Sequence, residues 1–234
     1  MNILIININR LGMTRNLVND LVLQTAPYKL RLVDQNSSEK GTREYFETVK
    51  KYLNAEIIYN DVNIDVNQLW NKFHLETNSP YLCFLNNDLR IPSNFVKDTV
   101  EVFEKESTVG CVLHSTNHPD YQSITPLNYV VLEEKLTQGW AFAFRREAYK
   151  IIPDDVQFFG GDDLLFTNLY RSGWKTAMIL SSPITHFYAK SRKYYKGNRE
   201  ENRLNMMKYN CERYSYRSKY TRRFPNENMK GENN

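Results

Sequence analysis

Cysteine is scarce in this chain, and glycine and proline are sparse. The three cysteines, Cys83, Cys111 and Cys211, are widely spaced and odd in number. No Cys-x-x-Cys pair occurs, which argues against a zinc ribbon or a disulfide framework. A reducing compartment fits that usage best. With only 9 glycines and 8 prolines, a collagen-like or linker-dominated architecture is excluded. Long apolar runs are missing too: none approaches the roughly 18–20 residues that span a bilayer. The opening Met1-Asn2-Ile3-Leu4-Ile5-Ile6-Asn7 is too short for the apolar part of a signal peptide, and no basic stretch precedes it. The expectation is a cytoplasmic protein without a transmembrane segment, or one held peripherally at a membrane.

What is present is ordinary for a globular protein. Hydrophobic residues make up 41% and charged residues 25% of 234 positions, enough for one well-buried α/β domain or two small ones. Charge is unevenly placed. Residues 190–234 hold 13 Lys+Arg against 5 Asp+Glu, and the remainder holds 18 against 22. A mildly acidic body therefore carries a basic tail.

Periodicity divides the body into alternating strands and helices. Strands are expected at 2–8, 28–33, 55–59 and 81–85. Helices are expected around Leu17, Val18, Leu21 and Val22, at 42–53 and at 66–75. This order predicts a doubly wound, mostly parallel sheet. Past it, Pro92 opens a helix to about Lys105, and strands are expected at 109–114, 128–132 and 139–145. The stretch 115–127 reads as a long loop, of the kind that often carries function. A helix at 162–172 and a strand at 175–180 follow, with His186 beyond that strand. From about 197 the chain reads as helical.

Tyr81-Leu82-Cys83-Phe84-Leu85-Asn86-Asn87-Asp88 is the most informative stretch. An apolar strand runs straight into two amides and a carboxylate, where open α/β sheets bind ligands. Asn7 and Asn9 follow the first strand and Asp34 follows the second, so these polar groups should stand side by side. A carboxylate there suits a nucleotide's base or ribose, or a hard divalent ion beside a diphosphate. A second signal is Phe158-Phe159-Gly160-Gly161-Asp162-Asp163. Taken alone, two aspartates opening a helix read first as capping. The doubled glycine ahead of them, which lets backbone approach a ligand closely, raises the case for a site.

Four segments occur in one order: Asp34-Gln35-Asn36-Ser37-Ser38, Leu85-Asn86-Asn87-Asp88, Gly139-Trp140-Ala141-Phe142-Ala143-Phe144-Arg145-Arg146, and Gly160-Gly161-Asp162-Asp163. That ordered set resembles the GT-A nucleotide-sugar glycosyltransferases, especially glycosyltransferase family 2 and its galactosyltransferase-like relatives. The resemblance covers roughly residues 1–188. The chain departs from the family at Asn86, which takes the first position of its Asp-x-Asp motif. It departs again at Asp65 and Phe73, which replace two family glycines.

The resemblance implies a role for each residue. Asp34 would face the nucleobase, with Asn7, Asn9 and Arg10 lining the same pocket. Asn71, Asn86 and Asn87 would complete the donor site. Asp88 would bind Mn²⁺ or Mg²⁺, with His186 as a further ligand. Asp163 would be the catalytic base, and Asp162 would bind the acceptor sugar or back the base up. The implied activity is inverting, divalent-metal-dependent transfer from a nucleotide sugar, UDP by family habit, to an acceptor hydroxyl on a glycan or a modified base in DNA. The implied organisation is a GT-A domain over 1–188, with a nucleotide-binding half at about 1–90 and an acceptor half at about 91–188. A basic, tyrosine-rich helical extension would occupy 189–234.

Other readings stand beside this one. A nucleotidyltransferase would want a Gly-rich, Lys/Arg-containing phosphate loop near residue 10, and none is there. The tail interleaves tyrosines with Lys and Arg, which suits nucleic acid or an anionic membrane surface. The alternative is thus a nucleic-acid- or membrane-binding relative of the fold with weak or no transferase activity. The bland reading of the tail is a helix packed on the domain through its tyrosines. His74 reads as structural, His114 and His118 as surface residues, and Trp140 as core or a sugar-stacking floor.

Overall fold

The structure, a computed structural model, describes residues 1–117, 126–158, 160–187, 204–205 and 207–209. The chain runs β1 (Asn2–Asn7), α1 (Leu11–Val22), β2 (Lys29–Gln35), α2 (Thr42–Leu53), β3 (Glu56–Asn60), α3 (Val66–Glu76) and β4 (Tyr81–Asn86). It continues through β5 (Leu89–Arg90), α4 (Phe95–Lys105), β6 (Val109–Thr116), β7 (Tyr129–Leu132) and β8 (Ala141–Arg145). After a 3-10 turn come α5 (Gly161–Arg171) and β9 (Lys175–His186). The strand order is β3-β2-β1-β4-β8-β6-β9-β5, with β7 also paired to β9. Pairing is parallel across β3-β2-β1-β4 and between β6 and β9. Strand β8 lies antiparallel between β4 and β6, and β5 and β7 run antiparallel to β9. This is the mixed, mostly parallel α/β sheet expected from the pattern.

Two apolar layers follow from the two-residue period of the strands. Ile3 and Ile5 point to the side covered by α1, α2 and α4, where Leu17, Leu21, Phe46, Val49 and Phe103 are buried. Leu4 and Phe84 point to the other side, against Trp70 and Phe73 of α3 and Leu165 and Phe166 of α5. Covered on both faces, the central strands read as continuous apolar runs.

The structure moves several expected boundaries. Asp34 lies within β2, not beyond it. Helix α4 starts at Phe95, because Pro92 and the next two residues form a turn whose Pro92 carbonyl accepts from Phe95 N. Strand β9 is twice as long as expected and ends on His186, which pairs with Leu89 of the unforeseen β5. Beyond Leu180, where the expected strand stops, Asn128 and His114 supply partners to Ser181 and Ser182 within the extended β9. His114 is a core residue. It is 2% exposed and stacked on Phe95, with its ring nitrogens next to Thr99 Oγ1 and the Ser182 carbonyl. Burial pushes its pKa down to about 4. His118 and most of the basic extension lie outside the described residues.

Candidate active site

The carboxyl ends of β1, β2 and β4 converge on one buried amide. Asn7 Nδ2 donates to Asp34 Oδ1 and to Ser37 Oγ, both at 3.0 Å. Asn7 Oδ1 accepts from Thr14 Oγ1 at 2.6 Å and from Asn87 Nδ2 at 3.1 Å. Three strand ends and α1 are thereby locked together, with Thr14, Asp34 and Asn87 buried and Ser37 partly so. The network draws in Thr14 and Ser37, which sequence reasoning passed over. Ser37 was findable: the Asp34 carboxylate accepts from Ser37 N and Oγ three residues on, within the turn-forming Asp-Gln-Asn-Ser stretch.

Asn9 and Arg10 both adopt left-handed backbone, at φ 55° and 58°. Asn9 Oδ1 accepts from Ser38 N and Glu39 N, and Glu39 Oε2 in turn accepts from Leu11 N at 2.8 Å. The first turn of α1 is therefore capped by the loop after β2, not by its own N-cap residue. Asn7, Asn9, Arg10, Asp34 and Asn87 thus stand together at one edge of the sheet. Asn86 is exposed at the end of β4, its backbone N–H donating to the Trp140 carbonyl at 2.8 Å.

Asn71 does not join them. Its Nδ2 donates to the Ile152 carbonyl at 2.7 Å, and its Oδ1 accepts from Ile152 N and Tyr149 Oη, both at 3.0 Å. The expected donor ligand is instead a brace between α3 and the segment after β8. Arg145 and Arg146 are likewise brackets: Arg145 donates to the Phe103 and Val109 carbonyls, and Arg146 to that of Thr77.

Asp88 and His186 meet across β5 and β9. Asp88 Oδ1 lies 3.2 Å from His186 Nε2, with both residues about 5% exposed. The contact has ion-pair distance but not hydrogen-bond geometry, so Asp88 Oδ1 is a buried oxygen with no hydrogen-bond partner. The His186 backbone is gripped by Asn117, whose amide both donates to its carbonyl and accepts from its N–H at 3.0 Å. The imidazole stacks on Trp140, with centroids 5.0 Å apart and planes 19° from parallel. Trp140 Nε1 donates to Thr116 Oγ1 at 3.2 Å.

Trp140 also leads to the paired carboxylates Asp162 and Asp163. A methyl group at neighbouring Gly139 would fall 2.1 Å from Asp162 Oδ2, so the Asp162 carboxylate lies directly against the Gly139 backbone. Asp162 and Asp163 open α5 behind Gly160, whose φ of 86° is glycine's own territory. Asp163 is 5% exposed. Contacts thus run from Asp88 to His186 to Trp140, and from Gly139 to Asp162.

The donor set at Asp88 and His186 fits a divalent ion. Two adjacent ligands of an octahedral ion at roughly 2.1 Å stand about 3 Å apart, close to the observed separation. One carboxylate with one imidazole suits Mn²⁺ better than Mg²⁺. No group of three or more such side chains occurs among the described residues. A nucleotide's phosphates would have to supply further oxygens, as is common for hard ions at such sites.

Residues 204–205 and 207–209 lie against Asp155, ahead of α5, and against Arg171 at its end. Asn205 Nδ2, Lys208 Nζ and Tyr209 Oη all reach Asp155, and the Tyr209 carbonyl accepts from Arg171. That part of the tail packs on the domain.

The family model for glycosyl transferase family 2 matches residues 2–165. The chain belongs to glycosyl transferase family 2. That membership spans the polar edge at Asn7 and Asp34, the Asp88 strand end and the Asp162–Asp163 helix. Comparison with curated proteins finds no match. Solved structures share the GT-A fold at low identity. One is GalNAc-T7 with UDP, GalNAc and Mn²⁺, at TM-score 0.67 and 13% identity, covering 80% of this chain and 43% of that one. Another is Staphylococcus aureus TarS 1-349 with UDP-GlcNAc, at 0.66 and 14%, covering 88% and 64%. A third is the mannosyltransferase PcManGT from Pyrobaculum calidifontis with GDP-Man and Mn²⁺, at 0.65 and 15%, covering 81% and 57%. This family 2 chain therefore spans about two-fifths to two-thirds of the length of those structures. No helix among its described residues is long and apolar enough to cross a membrane.

Proposed function

We propose that the protein transfers a sugar from a nucleotide-sugar donor to an acceptor hydroxyl, with inversion at the anomeric carbon and dependence on a divalent metal. The observation that carries this reading is the run of contacts joining Asp88, His186 and Trp140, and joining Trp140's neighbour Gly139 to Asp162, which links the two carboxylate sites through the start of β8 beside the end of β4. The nucleotide lies over the Asn7–Asp34 edge, where the second oxygen of Asp34 accepts, among the described residues, one backbone N–H at 3.2 Å and keeps capacity for a base or ribose donor.

Asp88 and His186 would hold Mn²⁺ or Mg²⁺; when bound, the ion offsets charge growing on the nucleoside diphosphate leaving group. Asp163 accepts the acceptor's hydroxyl proton. The oxygen so activated attacks the anomeric carbon from the face opposite the diphosphate, the carbon–oxygen bond to phosphate breaks, and the diphosphate leaves with its electron pair. A placed base of this kind contributes about 10²–10⁴ in rate. Asp162, held over Gly139, orients the acceptor. The domain assignment, 1–188 with the tail from 189, belongs to the same reading.

The similar solved structures hold UDP and GDP sugars alike, so the test takes both. The protein is incubated with Mn²⁺ and UDP-glucose, UDP-galactose, UDP-N-acetylglucosamine or GDP-mannose, and release of UDP or GDP is followed with water as the acceptor. Slow release from one donor, lost with a chelator, is expected. Nucleotide binding without release from any donor, even after prolonged incubation and with glycan or hydroxymethylated DNA added, would defeat the transferase reading.

A further inference from the structure

Asp65, Asn67 and Asn71 stand in or just before the first two turns of α3, and each bonds to the segment that leads into Gly160-Gly161-Asp162-Asp163. Asn71 holds Ile152 at both its N–H and its carbonyl. Asn67 Nδ2 donates to the Val156 carbonyl at 2.8 Å. Asp65 makes the contact nearest the motif. Its Oδ1 accepts from Asn67 N at 2.6 Å, which caps α3, and its Oδ2 accepts from Phe158 N at 2.5 Å. Asp65 is 7% exposed.

Phe158 sits in left-handed backbone at φ 57°. A bulky residue holds that conformation only where its surroundings enforce it. Two residues later Gly160 turns the chain into α5. Asn67 backs the motif from the other side, since a methyl at Gly161 would fall 2.0 Å from its Oδ1. The start of α5 is therefore seated on the start of α3. Burial raises the Asp65 pKa, and the three N–H groups bonded to it work the other way, as expected for a carboxylate taken out of water to bind backbone.

We infer that Asp65 is a positioning residue for sugar transfer: one oxygen caps α3, and the other holds Phe158 and thereby sets where Asp162 and Asp163 stand. This rests on the transferase reading above.

The test separates the two jobs of the carboxylate. Asp65→Ser keeps a good N-cap for α3 but has one short oxygen that cannot also reach Phe158. With the donor that the panel above identifies, kcat for diphosphate release should fall by about 10- to 100-fold, the scale of a misplacement near one ångström. Donor KM and the affinity for free UDP or GDP should not move, and the thermal midpoint should stay near that of the parent. Deuterium exchange should quicken at 156–161 and not within α3. Asp65→Ala, which loses the cap as well, should lose thermal stability in addition.

An unchanged kcat in Asp65→Ser would overturn the inference. So would kcat, KM and thermal midpoint falling together with faster exchange throughout α3, the signature of a structural role alone. If no donor turns over in the parent protein, the transferase reading fails on its own, and unchanged exchange at 156–161 in Asp65→Ser still refutes the clamp.

Discussion

The indole of Trp140 lies almost flat on the imidazole of His186, 19° from parallel at 5.0 Å. The indole is half-buried and tethered through Nε1 to Thr116. Stacking fixes the ring rotation that aims Nε2 at Asp88. Side chains that orient metal-binding histidines typically contribute 10–100-fold in metal affinity.

Mn²⁺ should therefore quench part of the tryptophan emission, and Trp140→Phe, which keeps a stacking ring, should bind Mn²⁺ nearly as well as the parent. Trp140→Ala should bind it about tenfold more weakly, and Asp88→Ala should show no saturable binding. Calorimetric Mn²⁺ titration of all four proteins measures this. Equal affinities throughout would remove the ion from this pair.

Asp163→Asn keeps the shape of the side chain and removes its basicity. Diphosphate release should fall by about 10²-fold or more, with nucleotide affinity unchanged by calorimetry. Turnover at the parental rate would assign the proton to another group.

Gly139→Ala places a methyl where Asp162 Oδ2 now sits. A short side chain can rotate away, so β8 should persist and the thermal midpoint should shift little. The carboxylate moves, and turnover should drop about tenfold, the lower end of the cost of misplacing a catalytic group. Parental turnover would show that Asp162 has no positional role.

Asn7→Leu fills the same space but strips four partners of their hydrogen bonds. Buried polar groups left unsatisfied cost about 1–3 kcal/mol each before relaxation. A loss of a few kcal/mol in urea unfolding is expected, together with weaker nucleotide binding, because Asp34 loses its anchor. Nucleotide affinity unchanged in a folded Asn7→Leu protein would separate that network from the donor site.

His114 makes a pH prediction. Its folded pKa of about 4 lies below the ordinary 6.5 because burial disfavours the charged ring. Between pH 6.5 and 4 the unfolded chain takes up a proton that the folded protein refuses. Stability from this group is complete above that window and is lost as pH falls through it, by up to about 3 kcal/mol. Urea unfolding across that range should show the slope in the parent and a flatter profile in His114→Gln. Identical slopes would locate the acid sensitivity elsewhere.

Local chemistry wrote much of the candidate site's layout into the sequence. Asn7, Asp34 and Asp88 were readable because a short apolar run followed by a polar residue marks a strand end, and strand ends of a parallel sheet lie side by side. Gly160 was readable because its backbone conformation belongs to glycine. Partners chosen across the sheet were not readable. Asn71 has the same residue type and a similar spacing whether it faces a donor or a backbone carbonyl, and only the course of the chain after β8 decides which. His114 misled for the same reason, since the groups that satisfy its ring come from α4 and β9.

The amino-acid sequence alone determined the alternation of strands and helices, the two apolar layers and the residue types at the strand ends, because periodicity and turn chemistry act between near neighbours. Tertiary structure decided that β8 inserts antiparallel beside β4, that β9 runs on to carry His186 to Asp88, and that Asp65 grips Phe158 across 93 positions. Such contacts form between residues distant in the chain, and their geometry exists only once the layers have packed.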